Sequence, residues 1–566
     1  MRGCRPALGG LLILGLLVGL VPRAGWADAP GGRAAFVERA LLYAANGETD
    51  DGFGDTVAVS ADGRRVVVGA PQAAFAFSGA GKAYVFVQPA GGWGGQLTET
   101  ARLRATDARY GDNFGTAVAL SEDGRTVVVG ASHHFGLAGA LYVFEEPAGG
   151  WTGIVTQTAR LRASDLFYGD YLGATVAISG ETIVAGAFGH DVGGNYGQGA
   201  LYVYVKPPGG WVSGAESAQL VASDGASNDG LGGVVAIAGG RVVGGALSAD
   251  GGTPFAGAAY VFERPAGGWT GVVTETAKLI AAATHASDNV GSALALAGEL
   301  IVVGARGDSA VPGAAYVYEA PPGGWGGTLT ETARLSPSAG APDDAFGTAV
   351  ALAGDNVVVG ASHAEVGGQY WQGAAYVFEE PVGGWAGTVS ESARLTASAG
   401  APEDRFGGAV ALGNHTLVVG ADGATSPTYG EGQAYLFVDD APRAPLLEIS
   451  YRYYAGSGES GSGIVRLYDD GTFLTDTGAT GRWGYLHAQQ RFLFQSDPGH
   501  FCEAFFLGQR QGSSVRGLYA CQDGSEVGGI WFGTLARPLD ELPNAPIGDR
   551  SLQAPVELLR ALEPTP

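Results

Sequence analysis

Seven copies of one short motif govern what this chain can fold into. The motif is Asp-x-(Phe/Leu/Val)-Gly, and its glycines are Gly54, Gly115, Gly173, Gly232, Gly291, Gly347 and Gly407, roughly sixty residues apart. A second landmark, the Gly-Ala pair that closes an apolar run such as "VVVGA", begins at Gly69, Gly130, Gly186, Gly245, Gly304, Gly360 and Gly420. A third, the turn P-x-G-G-W, ends at Trp93, Trp151, Trp211, Trp269, Trp325 and Trp385. Each copy holds four strand-like runs, which in the second copy are "TAVALS", "TVVVGA", "ALYVFEE" and "TQTARLRA". A four-stranded unit at this period predicts a propeller blade. One blade cannot bury both of its faces, whereas a closed ring buries them all.

Counting the runs predicts how the ring closes. The first three types occur seven times, but the fourth follows a GGW turn only six times, and the last copy stops at "AYLFVDD". The missing run stands at the other end of the array, in "ERALLYA", Glu38 to Ala44. The expected fold class is therefore all-β: a seven-bladed β-propeller of four-stranded blades over residues 34–440, closed by an N-terminal strand, and followed by a small antiparallel β-barrel over 446–536. Composition agrees. The chain has 98 Gly and 27 Pro among 566 residues, yet 46% of it is hydrophobic, which suits a folded, turn-rich chain rather than a disordered one.

The N-terminus reads as an export signal. Arg2 and Arg5 precede the apolar run Leu8 to Val21, and the small-residue site "AGWADA" follows, so residues 1–27 form the expected signal peptide, with cleavage after Ala27 or Ala29. The only Cys in this stretch, Cys4, precedes the apolar run, which argues against a lipid anchor, and no later segment reads as a membrane span. Losing Arg2, Arg5 and Arg23 would take the formal charge from −24 to −27. Such a chain repels phosphate backbones, so nucleic acid is excluded as a partner. Scarce Lys beside common Arg, Ala and Gly points to a bacterial source. Cys502 and Cys521, in an oxidising compartment, predict one disulfide, with two free thiols as the other reading.

The "FG", "VVVGA" and "GxxYVF" pattern resembles the FG-GAP repeat, which forms the seven-bladed propeller of integrin α subunits and of many exported bacterial proteins. The resemblance covers residue 36 to about 440 and implies fold more firmly than function. Integrin-type propellers hold calcium in first-to-second loops. Here those loops ("SADG", "SEDG", "SGE", "AGG") lack the spaced oxygen ligands calcium needs, so no cofactor is expected. Alternate connections of an antiparallel blade share a face, so the fourth-to-first and second-to-third loops lie together. The second-to-third loops vary between blades, as in "SHHFGLAG", "FGHDVGGNYGQG" and "SHAEVGGQYWQG". Binding belongs on variable loops carried by a rigid frame, as in integrins.

On that face the ligand candidates are Asp51, Asp112, Asp170, Asp229, Asp288, Asp344 and Asp404, with His134, Tyr196, Tyr370 and Trp371. The repeated Asp has two readings, a cation-attracting ring or local turn chemistry that accepts backbone amides. The histidines His133, His134, His190 and His363 lie in different blades without metal-ligand spacing. "ARGDS" contains the tripeptide read in cell adhesion, although Asp308 also sits where other blades place Asp191 and Asp250. The GGW residues Trp93, Trp151, Trp211, Trp269, Trp325 and Trp385 either stack sugars or pin hairpins. The C-terminal segment "DGTF…GRWGYL" with its final "GIWFGTL" weakly resembles small lipocalin-like (calycin) barrels, and residues 537–566 read as a Pro-rich tail with a short helix.

No nucleophile elbow, HExxH, CxxC or phosphate loop is present in the sequence, so the expectation is no enzyme. The leading expectation is an exported, monomeric, non-catalytic binding protein, periplasmic or extracellular, meeting a protein partner or glycan at the bacterial cell envelope without spanning a membrane. A carbohydrate-binding propeller using the repeated Trp is the alternative, and a propeller enzyme acting on polysaccharide is a further one.

Overall fold

In the computed structural model, residues 36–440 are described apart from 49, 74–79, 284, 286–287, 308–311 and 426–430, together with eight strands between 447 and 535. The signal segment, Asp308 of the adhesion tripeptide, Cys502 and the tail lie outside the described residues.

Residues 36–439 form seven sheets, each built on four antiparallel strands. Blade 1 consists of Thr56–Val59, Arg65–Ala70, Lys82–Val87 and Ala101–Arg104, and blade 2 of Phe114–Leu120, Thr126–Ala131, Ala140–Glu145 and Ala159–Leu161. Blades 3 to 6 repeat the pattern. Blade 7 takes Ala409–Leu412, Thr416–Ala421 and Gln433–Asp439 from the end of the array, and its fourth strand, Phe36–Tyr43, from the beginning. Phe36 pairs with Asp439 and Leu42 with Ala434, which is the predicted closure.

Hydrophobic side chains collect in seven clusters, one at each boundary between neighbouring blades. The period-two pleat explains this. Val67 faces blade 2, whereas Val66 and Val68, on the same strand, face blade 7. The closing strand serves two boundaries. Ala40 and Leu42 enter the cluster between blades 7 and 1, and Phe36 enters the one between blades 6 and 7.

The two glycine landmarks meet at every boundary. A Cβ built on Gly69 would lie 2.2 Å from the carbonyl oxygen of Gly115 in the next blade, and the same holds for Gly130 on Gly173 (1.9 Å), Gly186 on Gly232 (2.0 Å), Gly245 on Gly291 (2.3 Å), Gly304 on Gly347 (2.2 Å) and Gly360 on Gly407 (2.0 Å). The seventh contact, Gly420 on Gly54 (1.9 Å), closes the circle. The motif glycine also needs its own freedom, because its φ lies between 84° and 98° in all seven copies.

One expectation needs correction. The run after five of the six GGW turns is two strands rather than one. Its first part leaves its own blade and pairs in parallel with the outer strand of the preceding blade: Gly95–Thr98 along Ala40–Tyr43, Gly153–Thr156 along Ala101–Arg104, and likewise in three further places. Only the second part, such as Ala159–Leu161, is the fourth strand. Each such strap covers an outer edge that would otherwise expose unpaired backbone groups. Strap-proximal side chains tie blades as well. Glu391 accepts the Ser338 amide and hydroxyl at 2.8 and 2.6 Å, and Glu38 accepts those of Ser398 at 3.1 and 2.6 Å, so the N-terminal strand occupies an equivalent place.

The eight C-terminal strands, from Leu447–Tyr454 to Val527–Leu535, pair in sequence order, and the last pairs with the first to close a barrel. Cys521 ends the seventh of them.

Leu42 is fully buried in the closing strand and Val37 is 42% exposed. Leu42→Ala is expected to cost about 2–5 kcal/mol in denaturant titration, and Val37→Ala under about 0.5 kcal/mol. Equal effects would contradict closure by this strand.

Candidate functional site

The repeated Asp resolves first. In all seven blades its carboxylate accepts the backbone amide three residues earlier, at 2.6–2.9 Å, from Glu48 to Asp51 through Ala401 to Asp404. Its carbonyl accepts an amide of the second-to-third loop in the same blade, from Gln72, His133, Gly189, Ser248, Gly307, His363 or Gly423, at 3.1–3.3 Å. One residue therefore fastens the two loop families to each other, and both lie on one face as the strand order predicts. Asp51, Asp112, Asp170, Asp229, Asp288 and Asp404 are buried, and Asp344 is half-buried. Burial raises the carboxyl pKa of Asp229 and Asp404 above the usual range. These residues brace the face; they do not form an open ring of charge. Among the described residues no group of three or more His, Cys, Asp or Glu side chains is arranged to hold a metal ion.

His134 is a second correction. It is fully buried, with Nδ1 2.9 Å from Asp112 and Nε2 3.3 Å from the Tyr142 hydroxyl, so it is enclosed in blade 2 and not offered to a partner. His190 holds the equivalent place in blade 3. Its Nδ1 lies 3.1 Å from Asp170 and its Nε2 3.5 Å from Asp165. Burial disfavours charge on this ring, but the hydrogen bond to Asp170 and the charges of Asp170, Asp165 and Asp191 outweigh it and raise the pKa.

The six GGW indoles are also corrected as sugar platforms. Trp93, Trp151, Trp211, Trp269, Trp325 and Trp385 are all buried, the least enclosed at 7% exposure. Each packs into the cluster shared with the preceding blade. Trp93 Nε1 donates to the Gly63 carbonyl at 2.8 Å and Trp151 Nε1 to that of Gly124 at 3.0 Å, which pins the hairpin between the first and second strands. None of these six indole faces is free to stack on a sugar ring.

Exposed aromatic side chains lie on the opposite, loop-rich face. Tyr196, Tyr370 and Trp371, expected from the sequence, are 70%, 55% and 46% exposed. The sequence reading missed Tyr110, Phe167 and Tyr168 in fourth-to-first loops, and Phe135, Phe188 and Phe255 in second-to-third loops. Among the described residues, every markedly exposed aromatic falls in one of these two loop families. Three of them, Phe135, Phe255 and Trp371, hold left-handed backbone (φ 53°, 60° and 53°), which costs a bulky residue about 1–3 kcal/mol. Two of the exposed rings are held by stacking. Trp371 stacks on His363 at 4.9 Å, and Phe188 stacks face to face on Tyr171 at 4.9 Å. The available signal was an aromatic inside a Gly-rich loop, where no strand face exists to bury it.

The FG-GAP repeat matches residues 36–86, 97–144, 155–204, 215–262, 273–318, 329–378 and 389–437. The chain belongs to the FG-GAP repeat family. The first matched unit runs from the closing strand to the third strand of blade 1, so family units straddle blades as closure requires. No curated protein sequence matches the chain. Similar solved structures include a hydrazine synthase from Kuenenia stuttgartiensis, 12% identical, with a TM-score of 0.43, covering 70% of this chain and 98% of that one. A prolyl endopeptidase structure is 12% identical with a TM-score of 0.37, covering 75% of this chain and 53% of that one. Nothing about activity passes from either to this FG-GAP propeller.

The raised pKa of His190 sets a pH dependence. A group whose folded pKa exceeds its unfolded value of about 6.5 stabilises fully below that value and loses its contribution as pH rises through the folded one. The stability gap between wild type and His190→Gln, read by thermal melts, is expected to be larger at about pH 5.5 than at about pH 8.5. A gap independent of pH would contradict the charged pair.

Proposed function

We propose that this FG-GAP propeller is an exported, non-catalytic binding protein that offers its loop-rich face to a protein partner at the bacterial cell envelope. The observation that carries this reading is the confinement of the exposed aromatic side chains to loops that the repeated Asp fastens in place. Aromatic side chains give large contact area at low entropy cost, and rigid loops reduce the ordering cost of association. The opposite face spends its aromatics inside the fold, because its GGW indoles are buried. Among the described residues no helix is long and apolar enough to cross a membrane. The formal charge of −24 favours a partner surface with basic character. The export signal, a Cys502–Cys521 bridge and a monomeric state belong to the same proposal. Adhesion through the tripeptide at Arg306 is not needed by it.

The test uses the secreted chain as bait against cross-linked envelope proteins of the source cell, beside a variant carrying Tyr196→Ser, Tyr370→Ser and Trp371→Ser, and a control carrying Val272→Ser and Val382→Ser. The reading predicts one retained partner that the loop variant loses by about tenfold or more and the control keeps. Equal retention by all three would refute use of this face.

A further inference from the structure

Blade 2 departs from the repeat where a cleft opens beside its outer strand. From each GGW indole to the Ala of the fourth strand there are eight positions in five blades, as from Trp151 to Ala159, but seven in blade 3, from Trp211 to Ala218. The segment "VSGAES" is one residue short. It cannot lie along the outer strand of blade 2 as the other straps lie along theirs, and a single bridge, Leu161 to Gly214, replaces the parallel ladder. Between the displaced strap and the blade 2 loop lies a cleft of about 570 Å³, within the roughly 300–1,000 Å³ typical of small-ligand sites. Phe135, Arg160, Arg162, Leu166 and Ser213 line it.

Its lining contrasts with the chain's net charge of −24. Three guanidinium groups converge on one aromatic ring: Arg160 and Arg162, which line the cleft, lie 5.5 and 5.9 Å from the centroid of Phe135, and Arg109, which reaches the same ring from outside the lining, lies 5.0 Å from it. Arg160 is neutralised by Asp107, and Glu216 is held by the Ser164 amide and hydroxyl. Arg109 and Arg162 are exposed and form no ion pair with any described residue. Free guanidinium forks match a carboxylate in two-pronged geometry. Exposed Tyr168, Phe167 and Tyr110 follow on the neighbouring loops, and flat rings suit the C–H face of a sugar. The cleft does not suit an extended peptide. The outer-strand backbone it borders is already satisfied: the Arg160 amide donates to Ser213 Oγ at 3.0 Å, its carbonyl accepts the Gly214 amide at 3.3 Å, and the Arg162 amide donates to the Gly214 carbonyl at 3.1 Å.

We propose that this cleft binds a uronate ring of an acidic polysaccharide, with Arg109 and Arg162 on the carboxylate and Phe135 beside the ring. The cleft shares Phe135 with the loop-rich face, but the partner test varies Tyr196, Tyr370 and Trp371 and this one varies Arg109 and Arg162, so failure here is distinguishable from failure of partner capture.

Calorimetric titration of the full secreted chain tests it, with tetragalacturonate, galacturonate monomer, maltotetraose and hexaglutamate as probes. The expected result is saturable binding of tetragalacturonate, at least about tenfold tighter than any of the other three, and weakened by raised salt. The Arg109→Ala, Arg162→Ala double variant is expected to lose about tenfold or more with an unchanged melting temperature, because both side chains are exposed. Replacing Val212–Ser217 with the longer blade 2 segment Thr152–Thr158 is expected to restore the strap, fill the cleft and abolish binding. No binding of tetragalacturonate, equal binding of maltotetraose or hexaglutamate, or undiminished binding by the double variant would overturn the proposal. Should the replacement not fold, the arginine variants still decide.

Discussion

At each of the seven blade boundaries a glycine of one second strand rests against the carbonyl of the next blade's motif glycine, and the whole ring depends on that contact. The space left for a Cβ is 1.9–2.3 Å, far inside van der Waals distance, and the obstacle is backbone, which has no rotamer to yield. The contact sets how closely neighbouring sheets approach at the inner strands. That approach in turn lets the valines of each second strand enter the two flanking clusters, and it fixes the angle at which seven sheets close without a gap. A side chain at one boundary would push two blades apart and propagate round a closed circle, because ring closure leaves no free end to absorb the shift.

Much of this was legible in the sequence. The two glycine landmarks are visible because their constraint is backbone geometry, which admits one residue type and so repeats without variation. Closure by Phe36–Tyr43 could be counted, since six GGW turns cannot supply seven fourth strands. The strap could not be read. "TQTARLRA" is a continuous β-compatible run, and nothing local tells that its first half pairs with a different blade. The fate of the indoles and of His134 was equally hidden. A Trp in a Gly-Gly turn looks exposed until the neighbouring blade is placed over it, and the His134 ring is enclosed by Asp112 and Tyr142 from separate segments. The cleft of blade 2 rests on one absent residue, a difference that becomes meaningful only once the strap is known.

The division of labour between faces follows from these contacts. On one face, short hairpins are locked by buried indoles and leave little to vary. On the other, the repeated Asp ties each entry loop to its neighbour, after which the rest of the loop is free to carry aromatic side chains in backbone conformations that cost energy. A frame closed on itself can hold such loops with little loss of stability per loop, which is what a binding surface requires.

The most direct measurement of the central claim is a denaturant titration of Gly130→Ala, Gly420→Ala and Gly149→Ala. None of the three glycines has positive φ, so the added methyl tests space alone, and Gly149 has nothing within 4 Å of its would-be Cβ. Losses of about 1–3 kcal/mol or more are expected at Gly130 and Gly420, and a change within about 0.5 kcal/mol at Gly149. Three equal values would contradict a ring held by glycine contacts.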